Sequence, residues 1–375
     1  EPLLKADGGN IYYINISQDE FKLGGSSFNQ TLNAIGNEAP DVKNVAFVKN
    51  TFNTIQELIK ADKITAGHDV ASGGLITTLL EMCFADINLG ADFNITSLNE
   101  EDAIKVLFAE NSGIVFQADD SVETILSENN IEFFNIGTAN NSGKVNIKNN
   151  EETFAFDVSE MRDVWYKTSF LLDQKQTANN LAQDRFDNYK KQPLHYTFPK
   201  KFTGKLPKVN SKSPKPKAAI LREKGSNSER EMANAMYLAG FDVKDVHMTD
   251  LISGRETLED IQFIGAVGGF SNSDVLGSAK GWAGTFLYNA KAKKALKNFF
   301  KREDTLSVGI CNGAQLWMEL DLINPKHKVH GKLIHNDSKK HESSFTSVKI
   351  QENNSVMLSS LAGTELGVWI SHGEG

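Results

Sequence analysis

An α+β half followed by a doubly wound α/β half is the fold class that this sequence predicts, and three observations predict it. Between Lys190 and Lys217 the 375-residue chain gathers five of its eight prolines and nine lysines. Proline fixes φ and removes a donor, and like charges repel, so this stretch reads as an extended, solvated divider. After it, short apolar strands alternate with helical segments, the pattern of a parallel sheet covered on both faces. Before it, strand-like and helix-like pieces mix without that regularity. A chain this long is expected to form two or three domains. The expected boundaries are a first lobe over 1–170, a linker over 171–215 and a second domain over 216–375.

Taken in order, strands are expected at 11–16, 91–95, 113–117 and 132–136. The clearest helix covers 41–61, where Val45, Phe47, Val48, Phe52, Ile55, Leu58 and Ile59 recur at near-helical spacing. Another helix opens at Gly73-Gly74-Leu75 and runs through Met82. Beyond the divider, a strand over 218–222 precedes a helix over 227–239 with Met232, Ala235, Met236 and Ala239 on one face, stopped by Gly240. Strands at 241–248 and 261–267 follow. A long helix over 281–300 then leads to a fourth strand at 306–310, read as buried. No internal repeat is found.

Composition narrows the function classes. The net charge of −8 offers no basic surface for nucleic acid. No apolar run approaches the roughly 18 residues of a membrane span, and no signal peptide opens the chain. Cys83 and Cys311 are the two cysteines, too few for a disulfide framework, so a reducing, cytoplasmic setting is expected. Neither Glu1 nor Ser371-His-Gly-Glu-Gly375 has the form of a natural terminus, and a fragment is expected.

The chemistry-bearing motif is Gly309-Ile-Cys-Asn-Gly313, a thiol version of the nucleophile elbow. A sharp strand-to-helix turn thrusts the side chain outward, and flanking glycines let neighbouring backbone approach. The helix that follows aims its amides and positive end at Cys311, favouring thiolate. A buried cysteine acting as a small apolar residue fits the same letters. Val267-Gly-Gly-Phe-Ser271 ends the preceding strand, with Asp274 and Gly277 shortly after. Paired glycines there can present an N–H to a developing oxyanion, or form a plain turn. Two neighbouring strands ending in an elbow and in Gly-Gly favour the functional reading. Upstream, Asp69 precedes Gly73-Gly74, which suits a Mg²⁺–phosphate site or a helix cap. Cys83 on an apolar helix reads as core. His247 reads as packed, and His195, His327, His330, His335 and His341 read as solvated.

These residues carry a resemblance. Leu221-Arg-Glu-Lys-Gly-Ser-Asn-Ser-Glu-Arg-Glu-Met232, Ala239-Gly-Phe-Asp-Val243, Asp245-Val-His-Met248, Gly268-Gly-Phe-Ser271, Asp274-Val-Leu-Gly277, Gly281-Trp-Ala283, Cys311-Asn-Gly313 and Ser371-His-Gly-Glu-Gly375 occur in order. They resemble the flavodoxin-like, class I glutamine amidotransferase domain of the phosphoribosylformylglycinamidine synthase family, truncated at its C-terminus. Leu23-Gly-Gly-Ser26, Gly67-His-Asp-Val-Ala-Ser-Gly-Gly-Leu75 and Leu107-Phe-Ala-Glu110 resemble that family's upstream part. That part is the C-terminal lobe of its second aminoimidazole-ribonucleotide-synthetase-like repeat. Coverage is close to the whole chain, and the fusion points to the large single-chain form.

The resemblance implies an ATP- and glutamine-dependent ligase of purine biosynthesis. Cys311 would attack glutamine, and ammonia would pass to the synthetase part, which converts formylglycinamide ribonucleotide to its amidine. Backbone N–H groups of Gly269 or Phe270 and of Asn312 would form the oxyanion hole, with Gln315 lining the glutamine pocket. Asp69 would hold Mg²⁺. Ala71, with Ser72 beside it, stands where the family has a nucleotide-contacting serine, so an auxiliary ADP or ATP contact there is in doubt. Ala314 replaces a second family cysteine that is not the nucleophile. The family's His-Pro-Glu triad motif does not occur in this chain, so His372 is expected to help position substrate, and the chain by itself to be inactive. The remaining partner implied is the rest of the same polypeptide, with no nucleic acid and no membrane. A free-standing glutamine or cysteine hydrolase and a non-catalytic regulatory module are the competing readings.

Overall fold

Two units divide the chain, Glu1–Lys175 and Gln176–Gly375, in the computed structural model, which describes residues 1–191, 194–206, 208 and 214–375. The first unit is built on seven strands: β1 Asn10–Asn15, β2 Ile64–Val70, β3 Gly90–Asn94, β4 Gly113–Ala118, β5 Phe134–Asn140, β6 Lys144–Asn149 and β7 Glu152–Asp157. They pair in the order β2-β4-β1-β5-β3-β6-β7, antiparallel except for the parallel pair β3 and β6. Successive side chains of a strand point to opposite faces. Ile11 and Tyr13 accordingly enter one core and Tyr12 and Ile14 another, so the Ile-Tyr-Tyr-Ile run of β1 is apolar throughout.

Helices α1 Ser27–Thr31, α2 Val45–Lys60, α3 Gly74–Phe84, α4 Ala103–Phe108 and α5 Ser121–Glu128 surround this sheet. Asn44 caps α2 through a 3.1 Å bond from the Phe47 N–H, ending it short of the expected start at 41. Only part of its apolar spacing faces inward. Phe47, Ile55 and Leu58 are buried with Tyr12 and Ile14, whereas Val45, Phe52 and Ile59 are exposed. α3 packs Leu75, Leu79 and Met82 into the other core. Strands β2, β6 and β7 escaped the sequence reading because each carries too few apolar residues to form a recognisable run.

Within the stretch expected as a linker over 171–215, the part before the proline- and lysine-rich segment is helical. α6 Val158–Gln176 runs across its start and α7 Leu181–Asn188 lies within it. Arg185 Nη2 meets Glu342 at 2.8 Å, and Thr197 forms a bridge with Glu365, so this segment is tied to the second unit by charge pairing and backbone bonds. Pro193, Pro207 and Lys212 lie outside the described residues.

In the second unit β8 Lys217–Arg222, β9 Ser226–Asn227, β10 Asp242–His247, β11 Phe263–Ala266, β12 Gly268–Gly269 and β13 Leu306–Gly309 precede a hairpin of β14 Glu342–Lys349 and β15 Glu365–His372. The main sheet is parallel, in the order β10-β8-β11-β13, and β12 pairs with β9. Helices α8 Glu229–Leu238, α9 Met248–Ser253, α10 Lys280–Tyr288, α11 Ala290–Lys301 and α12 Asn312–Glu319 complete it. Both faces are covered: Ala219 and Leu221 of β8 join the core of Trp282, Phe286 and Phe299, and Ala218 and Ile220 join Met236. The inward side of α8 is Met232, Ala233 and Met236; Ala235 and Ala239 are exposed, against the face expected from spacing. The fourth strand is not buried. β13 has β11 as its one neighbour in this sheet, and Leu306 and Ile310 are exposed.

The single helix expected over 281–300 is two. Asn289 adopts an extended backbone (φ −92°, ψ 119°), and its side chain accepts the Ala292 N–H at 3.0 Å, capping α11. Asn289→Ala should therefore lower stability by about 1 kcal/mol, and Asn289→Asp should retain most of it. Denaturant titration checks this as a shift of the midpoint without a change of slope.

Candidate active site

Cys311 stands at the carboxyl end of the parallel sheet, in the turn from β13 to α12. Its backbone is strained, at φ 53° and ψ −112°, which for a non-glycine residue costs of order 1–3 kcal/mol. Two glycines make the turn sterically possible. A Cβ on Gly309 would come within 2.5 Å of the Gly313 carbonyl oxygen, and one on Gly313 would collide with the Ala266 carbonyl of β11. The expected elbow is thus formed, and it holds the thiol outward. Cys311 is exposed, and Sγ donates to the Ser371 carbonyl at 3.3 Å. Cys83 is its opposite: fully buried in the first unit, with burial pushing its thiol up to about 12.

The thiol opens into a cleft of about 620 Å³ whose walls include Gly268, Gly269, Phe270, His341, Trp369 and His372. A Cβ on Gly268 would lie 3.3 Å from the Cys311 Cβ, so glycine keeps the space beside the thiol clear. Gly269 needs its φ of 105°, since a side chain there would strike the Asn227 backbone nitrogen. The Phe270 N–H, expected as an oxyanion donor, is given to the Gly225 carbonyl at 2.9 Å. The Asn312 N–H opens α12 and has no intrahelical acceptor. Gln315 is buried and lines the cleft, donating through Nε2 to the Glu374 carbonyl at 3.0 Å.

Sequence reasoning missed the roles of the Asn312 side chain, Asp274 and His341. Asn312 acts through its side chain as well as its backbone: Oδ1 accepts the Ser271 N–H at 3.2 Å, and Nδ2 donates to Asp274 at 3.2 Å. Burial raises the Asp274 carboxyl above the usual carboxylate range, and the nearby Glu374 charge adds to this against bonds from Ala279 and Asn312. Asn272, Ser273 and Asp274 all have positive φ, a conformation costing roughly 1–2 kcal/mol for each such residue. His341, expected in solvent, stands exposed at the cleft, its Nε2 2.9 Å from Ser371 Oγ and its ring 5.9 Å from that of Phe270. His372 ends β15 and lines the cleft, but the thiol bonds to the residue before it.

In the first unit Glu110 unites three of the motifs noted in the sequence. Its Oε1 accepts the Ser27 N–H and the Gly73 N–H, both at 2.8 Å. An internal carboxylate therefore sits where Gly24-Gly25-Ser26 and Gly73-Gly74 converge. These bonds hold its pKa below the usual range against the opposing effect of burial. Asp69 does not cap α3, whose N-cap is Gly73 without a side-chain bond. Its side chain is 79% exposed, and Ala71 and Ser72 beside it are exposed as well. Among the described residues no three His, Cys, Asp or Glu side chains group to hold a metal ion, so Asp69 stands as a single exposed carboxylate. Among the same residues no helix is long and apolar enough to cross a membrane.

A strained thiol elbow at the carboxyl end of a parallel sheet defines the class of the second unit: a doubly wound α/β domain with an outward cysteine in an open cleft. The model of the CobB/CobQ-like glutamine amidotransferase domain matches residues 215–375, and that of the AIR synthase related protein C-terminal domain matches 8–149. The probable phosphoribosylformylglycinamidine synthase, chloroplastic/mitochondrial, of Arabidopsis thaliana is 37% identical over 99% of this chain. Those of Caenorhabditis elegans and Dictyostelium discoideum are 36% and 35% identical over all of it. Along its whole length the chain is similar to members of the phosphoribosylformylglycinamidine synthase family. It spans 27–30% of the length of these relatives.

Glu110 makes the acid stability of the first unit testable. A depressed folded pKa contributes stability that is present above the unfolded value and lost as pH falls through the folded one. Glu110→Gln should destabilise at neutral pH and flatten the loss below about pH 4.5, the ordinary glutamate range. Thermal unfolding followed from pH 7 to pH 3 checks both.

Proposed function

We propose that this chain is the glutamine-hydrolysing domain, with the adjoining synthetase lobe, of an enzyme converting formylglycinamide ribonucleotide to formylglycinamidine ribonucleotide with ATP and glutamine. The observation that carries this is Cys311, held outward on a strained elbow beside Gly268 and Gly269 in an open cleft. The relatives' names supply the substrate.

The cysteine thiolate attacks the side-chain carbonyl carbon of glutamine, and the carbonyl oxygen takes up the negative charge. Donors for that oxyanion would be the Asn312 N–H and the Gly269 N–H, since the Phe270 N–H is already committed. Collapse of the tetrahedral species breaks the C–N bond, ammonia leaves with a proton, and a glutamyl thioester remains. Water then hydrolyses the thioester to glutamate and restores the thiol. Gln315, anchored to Glu374, would shape the pocket. Ammonia would be used by the synthetase part of the same polypeptide with ATP. On that side Asp69 and Ser72 would contact nucleotide, with Mg²⁺ borne by the phosphates and Asp69 as one protein ligand. Cytoplasmic residence is part of this reading, supported by the two free cysteines, although the plant relative is named as chloroplastic/mitochondrial.

In the full-length enzyme, Cys311→Ala should abolish glutamine-dependent turnover and spare ammonia-dependent turnover. A diazoketone glutamine analogue should label Cys311 and leave Cys83 unmodified, read by peptide mass spectrometry. Glutamine-dependent turnover persisting in Cys311→Ala would refute the nucleophile.

Asp69→Asn should reduce the nucleotide that co-purifies with the full-length enzyme and its thermal stability, with a smaller effect on turnover. Unchanged nucleotide content, measured after acid release, would leave Asp69 an ordinary surface carboxylate.

A further inference from the structure

Asn312 follows the nucleophile and is fully buried. Its amide has one possible orientation, because the Ser271 N–H only donates and an ionised Asp274 only accepts. Oδ1 takes the Ser271 N–H at 3.2 Å, and the two Nδ2 hydrogens reach Asp274 at 3.2 Å and Gln315 Oε1 at 3.0 Å. Asp274 in turn accepts the Ala279 N–H at 3.2 Å, closing the turn that follows Gly268-Gly269. That turn runs left-handed through three successive residues, none of them glycine. Such a backbone persists only where its surroundings hold it. The bonds from Asn312 to Ser271 and Asp274 tie it to the elbow.

Resting on the reading of Cys311 as the glutaminase nucleophile, we infer that the side chains of Asn312 and Asp274 are positioning residues that hold the Gly269 turn in register with the thiol. Neither side chain touches a reacting atom. Their work is geometric: one donor lies on the turn and the other on α12, and both must face the same carbonyl oxygen. Slack between the two elements would leave the thiol reactive and the oxyanion unsupported.

The test uses the full-length enzyme with glutamine or ammonium as nitrogen source. Asn312→Asp sets a carboxylate against Asp274 and should lower glutamine-dependent kcat roughly tenfold or more, with KM within about threefold. Ammonia-dependent turnover should not change. The exchange Asp274→Asn with Asn312→Asp restores a donor–acceptor pair between the two positions but leaves Gln315 Oε1 without its donor, and should recover part of the kcat lost in Asn312→Asp. Parental kcat in Asn312→Asp would overturn the inference, as would an exchange variant that keeps ammonia-dependent turnover but is no faster with glutamine than Asn312→Asp. Should Asn312→Asp fail to fold, Asp274→Ala, which removes the acceptor and leaves Gln315 untouched, decides alone: parental kcat there would overturn the inference. Glutamine-dependent turnover surviving Cys311→Ala would remove the nucleophile and this inference together. Its loss there beside parental kcat in Asn312→Asp would remove the positioning role only.

Discussion

The close approach of α12 to β11 and β13 is the constraint on which the second unit depends. Gly313 sits so near the Ala266 carbonyl, and Gly309 so near Gly313, that any side chain at either place would force the helix away from the sheet. With both glycines present the chain turns within two residues, and Cys311 takes the strain of that turn in its own backbone. Strain of a few kcal/mol is tolerable only in a well-packed element. Leu316 and Trp317 supply that packing by burying α12 in the same core as Trp282 and Phe299.

From that fixed point the cleft is assembled by elements distant in sequence. The Gly268-Gly269 turn arrives from β11, Ser371 from β15, and Gln315 from the second turn of α12. Hydrogen bonds rather than apolar contacts decide their mutual register, since Asn312 bonds to Ser271 and Asp274, and Gln315 to Glu374. Polar groups buried so near the cleft are expensive unless satisfied, and here each bond satisfies two at once. The first unit uses the same device at Glu110, where one carboxylate collects two backbone donors from separate glycine-rich turns.

Much of the fold was legible in the sequence. Strands β8, β10, β11 and β13 and the stop at Gly240 lie within a residue or two of their expected places, because short apolar runs bounded by glycine are strong local signals. The break at Asn289 was not seen, since an asparagine inside an apolar-periodic stretch looks the same whether it faces solvent or caps a new helix. The inward faces of α2 and α8 were only partly right. Spacing identifies a stripe, but neighbours decide which edge of it is covered, as Phe52 and Ala235 show by their exposure.

By itself the sequence determined that a thiol would stand between glycines at a strand-to-helix turn, and that a Gly-Gly turn would end the strand before it. Those are local facts, set by which residues tolerate tight backbone. Only the tertiary structure decided that β13 lies at the sheet edge, that the Phe270 N–H is spent on Gly225, that Asp274 bonds Asn312, and that Ser371 and His341 reach the cleft. Each of these depends on partners 30 to 60 residues away or more, or on which strand lacks a neighbour. A hydrogen bond is specified by where two groups meet in space, and no spacing along the chain encodes that meeting.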